Sequence, residues 1–278
     1  MKIKGLFIFS CVFILGLSAC RSEFEKIRSS GDPAGILTKG DEYYAKEDYQ
    51  RAQALYELVL PTYRGRKEAE EIAYRYAYTY YYMGQYILAS YYFNNFAQTF
   101  GGSSKKEEAD FMSAYCNYKL SPTFRLDQTY TDKAIEDFQL FINTYPQSTR
   151  VEECNKLIDE MRAKLEDKAY HEALLYFDMQ YYQSAIQTFD NMLKDFPETS
   201  DAEQVRYMIL RSAHLLAENS FVDKQQERYI DARDRAQEFI NRFPESKNLK
   251  EVKDILANAN KKLNQLNNVR HQSQSSGN

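Results

Sequence analysis

The feature that most restricts how this chain can fold is an interval of eleven residues between an alanine and an aromatic residue. This interval occurs five times, in Ala52/Tyr63, Ala89/Phe100, Ala134/Tyr145, Ala185/Phe196 and Ala232/Phe243. An alanine lets two helices approach closely, and a ring three turns later lies on the same face of its helix. The pattern therefore predicts an all-α chain of five similar helical hairpins. The alternative is an ordinary helical bundle with chance periodicity.

Residues 73–100, within a second repeat expected at about residues 70–100, show how each hairpin is expected to be built. Ala77 and Tyr80 hold positions in its first helix, and Ala89 and Phe93 hold positions in its second helix. Gly84 is expected to end the first helix in a left-handed turn, a conformation that a Cβ atom disfavours. These small and aromatic positions match the tetratricopeptide motif, so we expect a tetratricopeptide-like solenoid of about five repeats.

Departures from the regular spacing indicate the organisation of the chain. Repeats one to three are expected within residues 34–148, with an enlarged loop around residues 121–128. Residues 150–177 contain no glycine or proline, so they are predicted to form one long connecting helix, the alternative being a bent or broken one. Residues 149–266 would hold this helix, repeats four and five with an insertion near residues 219–228, and a helix that caps the open end.

Local signals refine the ends of these segments. Ser104 with Glu107, and Thr149 with Glu152, have the spacing of capping boxes, and they are predicted to open the third repeat and the connecting helix. Residues 267–278 are polar and are expected to form a disordered tail.

The amino-terminal residues have the features of a secretory signal. Two lysines precede an apolar run at residues 6–17, which is too short to span a bilayer stably. The run ends in Leu17–Cys20, which resembles a bacterial lipobox. We therefore expect residues 1–19 to be a signal peptide, Cys20 to carry lipid, and residues 20–33 to be a flexible tether. An ordinary signal peptide cut at the same place would instead leave a free thiol.

Composition and residue spacing argue against several classes of function. The formal net charge is −4 and no basic face emerges, so nucleic-acid binding has little support. The histidines, His171, His214 and His271, are far apart in sequence, and no metal-ligand spacing occurs. Phosphate-binding glycine loops are missing, and no nucleophile accompanies a candidate base. We expect no catalytic residues, enzyme activity, cofactor, metal or small-molecule substrate.

Two cysteines remain after Cys11 and Cys20 are assigned to the signal and the lipid site. Cys116 and Cys154 both fall within helical patterns, so they are expected to be small buried side chains. A disulfide, which an oxidising compartment would allow, is the alternative.

The repeat register also predicts the residues of a binding surface on the first helices, which line the concave side of such solenoids. The expected residues are Leu37, Asp41, Tyr44, Tyr74, Tyr78, Tyr81, Phe111, Tyr115 and Tyr118, whereas Tyr76 and Tyr80 are expected to face the core. Aromatic rings supply large contact areas, and extended or helical peptides bind in grooves of this kind. This first-helix surface is therefore predicted to be a peptide-binding groove, unless its rings only pack between neighbouring repeats.

A lipobox cysteine, about five such repeats and a long central helix together resemble the BamD family of outer-membrane β-barrel assembly lipoproteins. The phrases at Tyr86–Ala89, Leu126–Gln128 and Phe141–Pro146 are similar to Bacteroidetes versions of that family. The resemblance implies a lipid anchor in the outer membrane on its periplasmic face, association with a BamA-like β-barrel subunit, and receipt of unfolded outer-membrane proteins. The rival interpretations are a tetratricopeptide adaptor for cell-envelope or division proteins and a glycan-binding surface lipoprotein.

Overall fold

The computed structural model describes residues 23–275, with side chains to residue 268. All helices and strands assigned in that part of the chain are α-helices, so the predicted fold class is confirmed. The twelve helices are α1 (Glu23–Arg28), α2 (Pro33–Ala45), α3 (Tyr49–Tyr63), α4 (Glu68–Tyr82), α5 (Tyr86–Thr99), α6 (Lys106–Leu120), α7 (Thr129–Thr144), α8 (Val151–Asp178), α9 (Tyr182–Asp195), α10 (Ala202–Glu218), α11 (Val222–Arg242) and α12 (Leu249–Ser275). The predicted signal peptide and Cys20 lie outside the described residues.

The five predicted hairpins are present. Helices α2/α3, α4/α5, α6/α7 and α10/α11 form four of them, and the carboxyl-terminal part of α8 forms the fifth with α9. The alanines of the five pairs, Ala52, Ala89, Ala134, Ala185 and Ala232, are all completely buried. A side chain no larger than a methyl group is needed where helices cross this closely, which explains why these positions repeat.

The turn between α4 and α5 has the predicted left-handed conformation. Gly84 has a φ of +71°, and the N–H of Gln85 donates to the carbonyl of Tyr80 at 2.9 Å, which closes the helix end. The corresponding turns of repeats one and four place Glu47 and Gln180 at φ values of 60° and 63°. Side chains other than glycine are therefore accepted here, at a cost in backbone energy.

Replacement of Gly84 by alanine is expected to lower the free energy of unfolding by about 1 kcal/mol. No heavy atom lies within 4 Å of the Cβ that alanine would add, so the cost arises from the left-handed backbone alone. Gly101→Ala is the matched control, because its Cβ would also meet nothing within 4 Å and its φ is not positive. Urea denaturation followed by circular dichroism measures both variants, and equal stability would contradict the prediction.

The connecting helix is confirmed as one helix of 28 residues, α8. The enlarged loop of repeat three is also confirmed, since residues 121–128 lie between α6 and α7. The predicted insertion near residues 219–228 is not a loop, because only residues 219–221 separate α10 from α11. The additional residues instead lengthen α11 to 21 residues. This segment contains neither glycine nor proline, so nothing in its sequence stops the helix.

Both ends of the described chain are more helical than expected. Helix α1 lies within the stretch predicted to be a flexible tether. The ring of Phe24 contacts the ring of Tyr43 with centroids 6.0 Å apart, and the Nζ of Lys39 lies 2.6 Å from a carboxylate oxygen of Glu23. At the other end α12 continues to Ser275, past the predicted boundary at Leu266. The glycine at position 31, with a φ of +70°, marks the break between α1 and α2.

The two predicted capping boxes are wrong by one residue. Helix α6 has no side-chain cap at its first residues; the Oγ of Ser103, not Ser104, accepts the N–H of Lys105 at 3.0 Å. The Oγ of Ser148, not Thr149, likewise accepts the N–H of Arg150 at 3.2 Å. These hydroxyls also donate to carboxylates one repeat away, and the same contact occurs four times, in Ser103/Glu70, Ser148/Glu107, Thr199/Glu166 and Ser246/Glu203. A hydroxyl three residues after the terminal aromatic thus links successive repeats.

The helices form two compact units that divide within α8. One unit extends to Met161 except for residues 123–125; these residues and the chain from Arg162 onward form the other. Each unit has its own buried core. Cys116 and Cys154 lie in the core of the first unit as free, buried thiols, as expected. Burial raises their pKa values to about 12 and about 11, which keeps both thiols protonated and unreactive at neutral pH.

Candidate functional site

The first helices of repeats one to three place the predicted first-helix surface in one unit. Leu37, Asp41 and Tyr44 lie on α2, Tyr74, Tyr78 and Tyr81 on α4, and Phe111, Tyr115 and Tyr118 on α6. All of these side chains except Phe111 are partly exposed. Tyr76 and Tyr80 are buried, as expected. The sequence pattern therefore separates the two faces of α4 correctly.

The tyrosines of α4 are supported from below by the second helix of the same repeat. The Tyr74 ring lies 5.3 Å from the ring of Phe96 between centroids, and the Tyr78 ring lies 4.8 Å from that of Phe93 in an edge-to-face arrangement. The Tyr78 hydroxyl donates to Glu108 on α6 at 3.1 Å. Burial is the largest of the effects that raise the pKa of the Tyr78 hydroxyl, and its contacts with Tyr74 and Glu108 raise it further. These rings are therefore held in fixed orientations, with only part of each ring open to solvent.

Aromatic contacts continue from α4 onto α6. Tyr81 and Tyr115 lie on neighbouring first helices with ring centroids 6.4 Å apart, and Tyr115 is 5.5 Å from Tyr118. The Tyr118 hydroxyl donates to Glu160 at 2.9 Å; burial, together with this carboxylate, raises its pKa to about 12. At neutral pH the hydroxyl is protonated, as in an ordinary tyrosine, and is the donor of this hydrogen bond.

Asp41 is occupied by contacts within the molecule. One of its carboxylate oxygens accepts the Tyr56 hydroxyl at 2.7 Å and the Arg75 guanidinium at 2.9 Å. Arg75 also binds Glu71, and Glu71 in turn pairs with Lys105 at the start of the next repeat. The carboxylate therefore joins α2 to α3 and α4, and its position on the surface reflects packing between repeats.

Phe111 differs from the expectation. Its side chain is only 2% exposed, and the Arg150 guanidinium lies over its ring at 4.0 Å from the centroid. Arg150 is held there by Glu108 at 2.7 Å. The ring belongs to the core of the first unit, so it is not available to a bound peptide. The register placed it on the same face as Tyr115, but a cation from the start of α8 covers it.

Tyr82 was missed by the sequence argument. It is 49% exposed, and its ring stacks on Tyr78 with centroids 5.6 Å apart and on Tyr49 at 4.5 Å. The available signal was its position four residues after Tyr78, which places the two rings on one face of a helix. Tyr74, Tyr78, Tyr81 and Tyr82 thus form a continuous stripe on α4, which we call the α4 tyrosine stripe.

Two further properties hold for the described residues 23–275. Among them, no group of three or more histidine, cysteine, aspartate or glutamate side chains is arranged to hold a metal ion. No helix there combines the length and the apolar character that crossing a bilayer requires.

Comparisons with known proteins agree on one family. A family model described as "YfiO: Outer membrane lipoprotein" matches residues 29–220. A candidate outer membrane protein assembly factor BamD of Aquifex aeolicus (strain VF5) is 24% identical over 238 residues, which cover 84% of this chain and 77% of that protein. The predicted resemblance to the BamD family and the expected outer-membrane localisation are thereby confirmed.

Solved structures are similar at low identity. The complex of the TPR2AB domain of yeast Sti1 with pHSP90 is 13% identical, covers 82% of this chain and 98% of its own, and has a TM-score of 0.38. The apo form of RapI is 16% identical, with coverages of 84% and 83% and a TM-score of 0.30. The fold is established by the helices described above, and the family is established by the match to residues 29–220. This chain belongs to the YfiO family of outer membrane lipoproteins.

Proposed function

We propose that this chain serves the assembly of outer-membrane β-barrels by holding unfolded barrel proteins on the first-helix surface. The observation that carries the proposal is the α4 tyrosine stripe, whose partly exposed rings lie side by side and are fixed from below by Phe93 and Phe96. The similarity to the Aquifex aeolicus protein, whose name assigns it to outer membrane protein assembly, supports the same proposal. On this proposal the chain is an assembly factor and not an enzyme.

The chemistry of the stripe suits an unfolded barrel segment. Strands of outer-membrane barrels alternate apolar and polar residues and carry aromatic girdles at the membrane interfaces. Tyrosine rings offer a large apolar area at a small entropy cost, and their hydroxyl oxygens can accept hydrogen bonds from backbone N–H groups. Because Glu108 and the phenylalanines of α5 already orient the rings, little ordering is needed when a segment binds.

Simultaneous replacement of Tyr74, Tyr78 and Tyr81 by alanine is expected to weaken binding about tenfold or more, because three aromatic contacts are lost. The probe is a fluorescein-labelled peptide of twelve residues that alternates apolar and polar positions and ends in phenylalanine. Fluorescence polarisation measures its Kd for the purified lipidated chain. Tyr181→Ala, which removes a tyrosine 57% exposed on another repeat, is the control. An unchanged Kd with retained helical circular dichroism would contradict the proposal.

The same variant tests the proposed partners in membranes. Affinity purification of the unaltered chain is expected to recover a BamA-like subunit, recognised as a large β-barrel with periplasmic repeat domains, together with unfolded outer-membrane proteins. The triple variant should keep the barrel subunit and lose the unfolded proteins. Recovery of division proteins or glycan-uptake proteins instead would support the rival interpretations.

A further inference from the structure

A second groove lies on a different face of the first unit, between the second helices of repeats two and three. Helices α5 and α7 form its walls, and α6 forms its floor. It consists of two cavities of about 490 Å³ and 180 Å³, which meet at Asn94, Ser113 and Asp137. We call it the α5–α7 groove. None of the tyrosines of the α4 tyrosine stripe lines it, so it is separate from the proposed peptide surface.

Small residues keep this groove open. Ser90 on α5 and Ser113 on α6 are both buried, and each Oγ lies 3.1 Å from the other residue's backbone carbonyl, to which it can donate. These contacts bring α5 and α6 together without a large side chain between them. The space above them, between α5 and α7, is therefore left unfilled.

Exposed apolar side chains lie along both walls of the groove, among polar ones such as Asn95, Gln98 and Lys133. Ile87 and Tyr91 on α5 are 58% and 60% exposed, and Leu140 on the opposite wall is 65% exposed. A single exposed apolar side chain needs no explanation, but here such residues line both walls of one cleft. Exposed apolar side chains that share one cleft with polar ones form a surface to which another chain can bind.

The two carboxylates of the groove differ in their partners. Asp110 accepts hydrogen bonds from Lys106 at 2.6 Å and from the Tyr145 hydroxyl at 2.7 Å. Asp137 is half-buried and accepts the side-chain amide of Asn117 at 2.7 Å. Within residues 23–268, whose side chains are described, no lysine or arginine nitrogen lies within 4.0 Å of the Asp137 carboxylate. Burial has the largest effect on the pKa of Asp137 and raises it overall, whereas the hydrogen bond from Asn117 and the charge of Lys133 lower it. Lys133 lies one turn earlier on α7, where its exposed side chain lines the larger cavity, and Lys106 lines the smaller one.

A partly buried carboxylate with a neutral partner is costly, and a cation from another molecule would offset this cost. Asp137 lies where the two cavities meet, so a cation that enters the groove reaches it. We propose that the α5–α7 groove docks a segment of a partner protein that presents an arginine or lysine to Asp137. Apolar side chains on either side of that cation rest on Ile87, Tyr91 and Leu140. This docking site is separate from the first-helix surface that is proposed to hold unfolded barrel proteins. It lies between the second helices of repeats two and three.

The test uses pools of 15-residue peptides that fix arginine, lysine, glutamine or glutamate at the central position and vary the others. Binding of each pool to the purified lipidated chain is measured by fluorescence polarisation. The arginine and lysine pools are expected to bind at least about fivefold more tightly than the glutamine pool, with the glutamate pool weakest. Asp137→Asn should abolish this preference, because the amide keeps an oxygen for Asn117 but loses the charge.

Glu136→Gln is the matched control, since it removes the same charge from an exposed neighbour that does not line the groove. Leu140→Gln should weaken all pools to a similar extent and leave their order unchanged. The proposal is overturned if the pools bind equally, or if Asp137→Asn and Glu136→Gln behave alike. Binding of soluble cell-wall glycan fragments with loss in Asp137→Asn, or a concentration-dependent dimer that the variant abolishes, would also overturn it in favour of another occupant.

Discussion

Phe93→Ala is expected to lower the free energy of unfolding by about 3–5 kcal/mol, because a large buried ring is lost and the site cannot fully collapse. Phe93 lies on α5 with no exposed surface, and the rings of Tyr74 and Tyr78 pack against it with centroids 6.5 Å and 4.8 Å away. The measurement is the denaturation midpoint in urea at an unchanged slope.

Tyr91→Ala is the matched control for this variant. It removes an aromatic ring from the same helix, but that ring is 60% exposed, so the expected change is below about 1 kcal/mol. Comparable destabilisation of the two variants would show that α5 does not bury the face assigned to it. Phe93→Ala should also weaken peptide binding. Phe93 is buried and would not contact the peptide itself, but it supports the rings of Tyr74 and Tyr78 in the α4 tyrosine stripe.

Features that depend on one helix and its immediate partner could be predicted from the sequence. The two helices of each hairpin approach so closely at their crossing that a small residue is needed there. An alanine therefore recurs at the same position of each repeat. Helix α8 could be predicted because residues 150–177 contain no glycine or proline. Residues 219–228 also lack both residue types, which favours a helix, but the longer interval between Ala213 and Ala232 led to their assignment as a loop.

Features that depend on contacts between repeats could not be predicted in this way. Phe111 packs against Phe138 and Phe141, and it is covered by Arg150, 39 positions later in the chain. The role of Ser148 depends on Glu107, 41 positions earlier. Helical periodicity does not predict contacts between residues so far apart in the chain. The capping-box pattern favoured the adjacent Thr149 because that pattern is defined by the residues of one helix end alone.

The candidate site contains features of both kinds, those that could be predicted from the sequence and those that could not. The face of α4 that carries Tyr74, Tyr78 and Tyr81 follows from helical periodicity, whereas the engagement of Asp41 by Tyr56 and Arg75 does not. The α5–α7 groove could not be predicted from the sequence. It arises because two serines occupy positions where a larger residue would fill the space, and serine alone does not signal a cleft.

Ala89→Leu is expected to lower the free energy of unfolding by about 1–3 kcal/mol, since three additional carbon atoms must be accommodated in a closely packed crossing. Ala89 has no exposed surface, and α5 packs against both α4 and α6, so relief on one side is opposed on the other. A domain of this size should lose about 2–4 °C in Tm for each kcal/mol.

Ala45→Leu provides the comparison, because Ala45 is exposed at the end of α2 and leucine is nearly as good a helix former as alanine. Its Tm should change by less than about 2 °C. If methyl-sized residues are what fix the repeat register, the cost of leucine must depend on the position in the repeat and not on the substitution itself. Equal shifts in Tm for Ala89→Leu and Ala45→Leu would mean that the crossings tolerate larger side chains, and the physical basis of the eleven-residue interval would then be wrong.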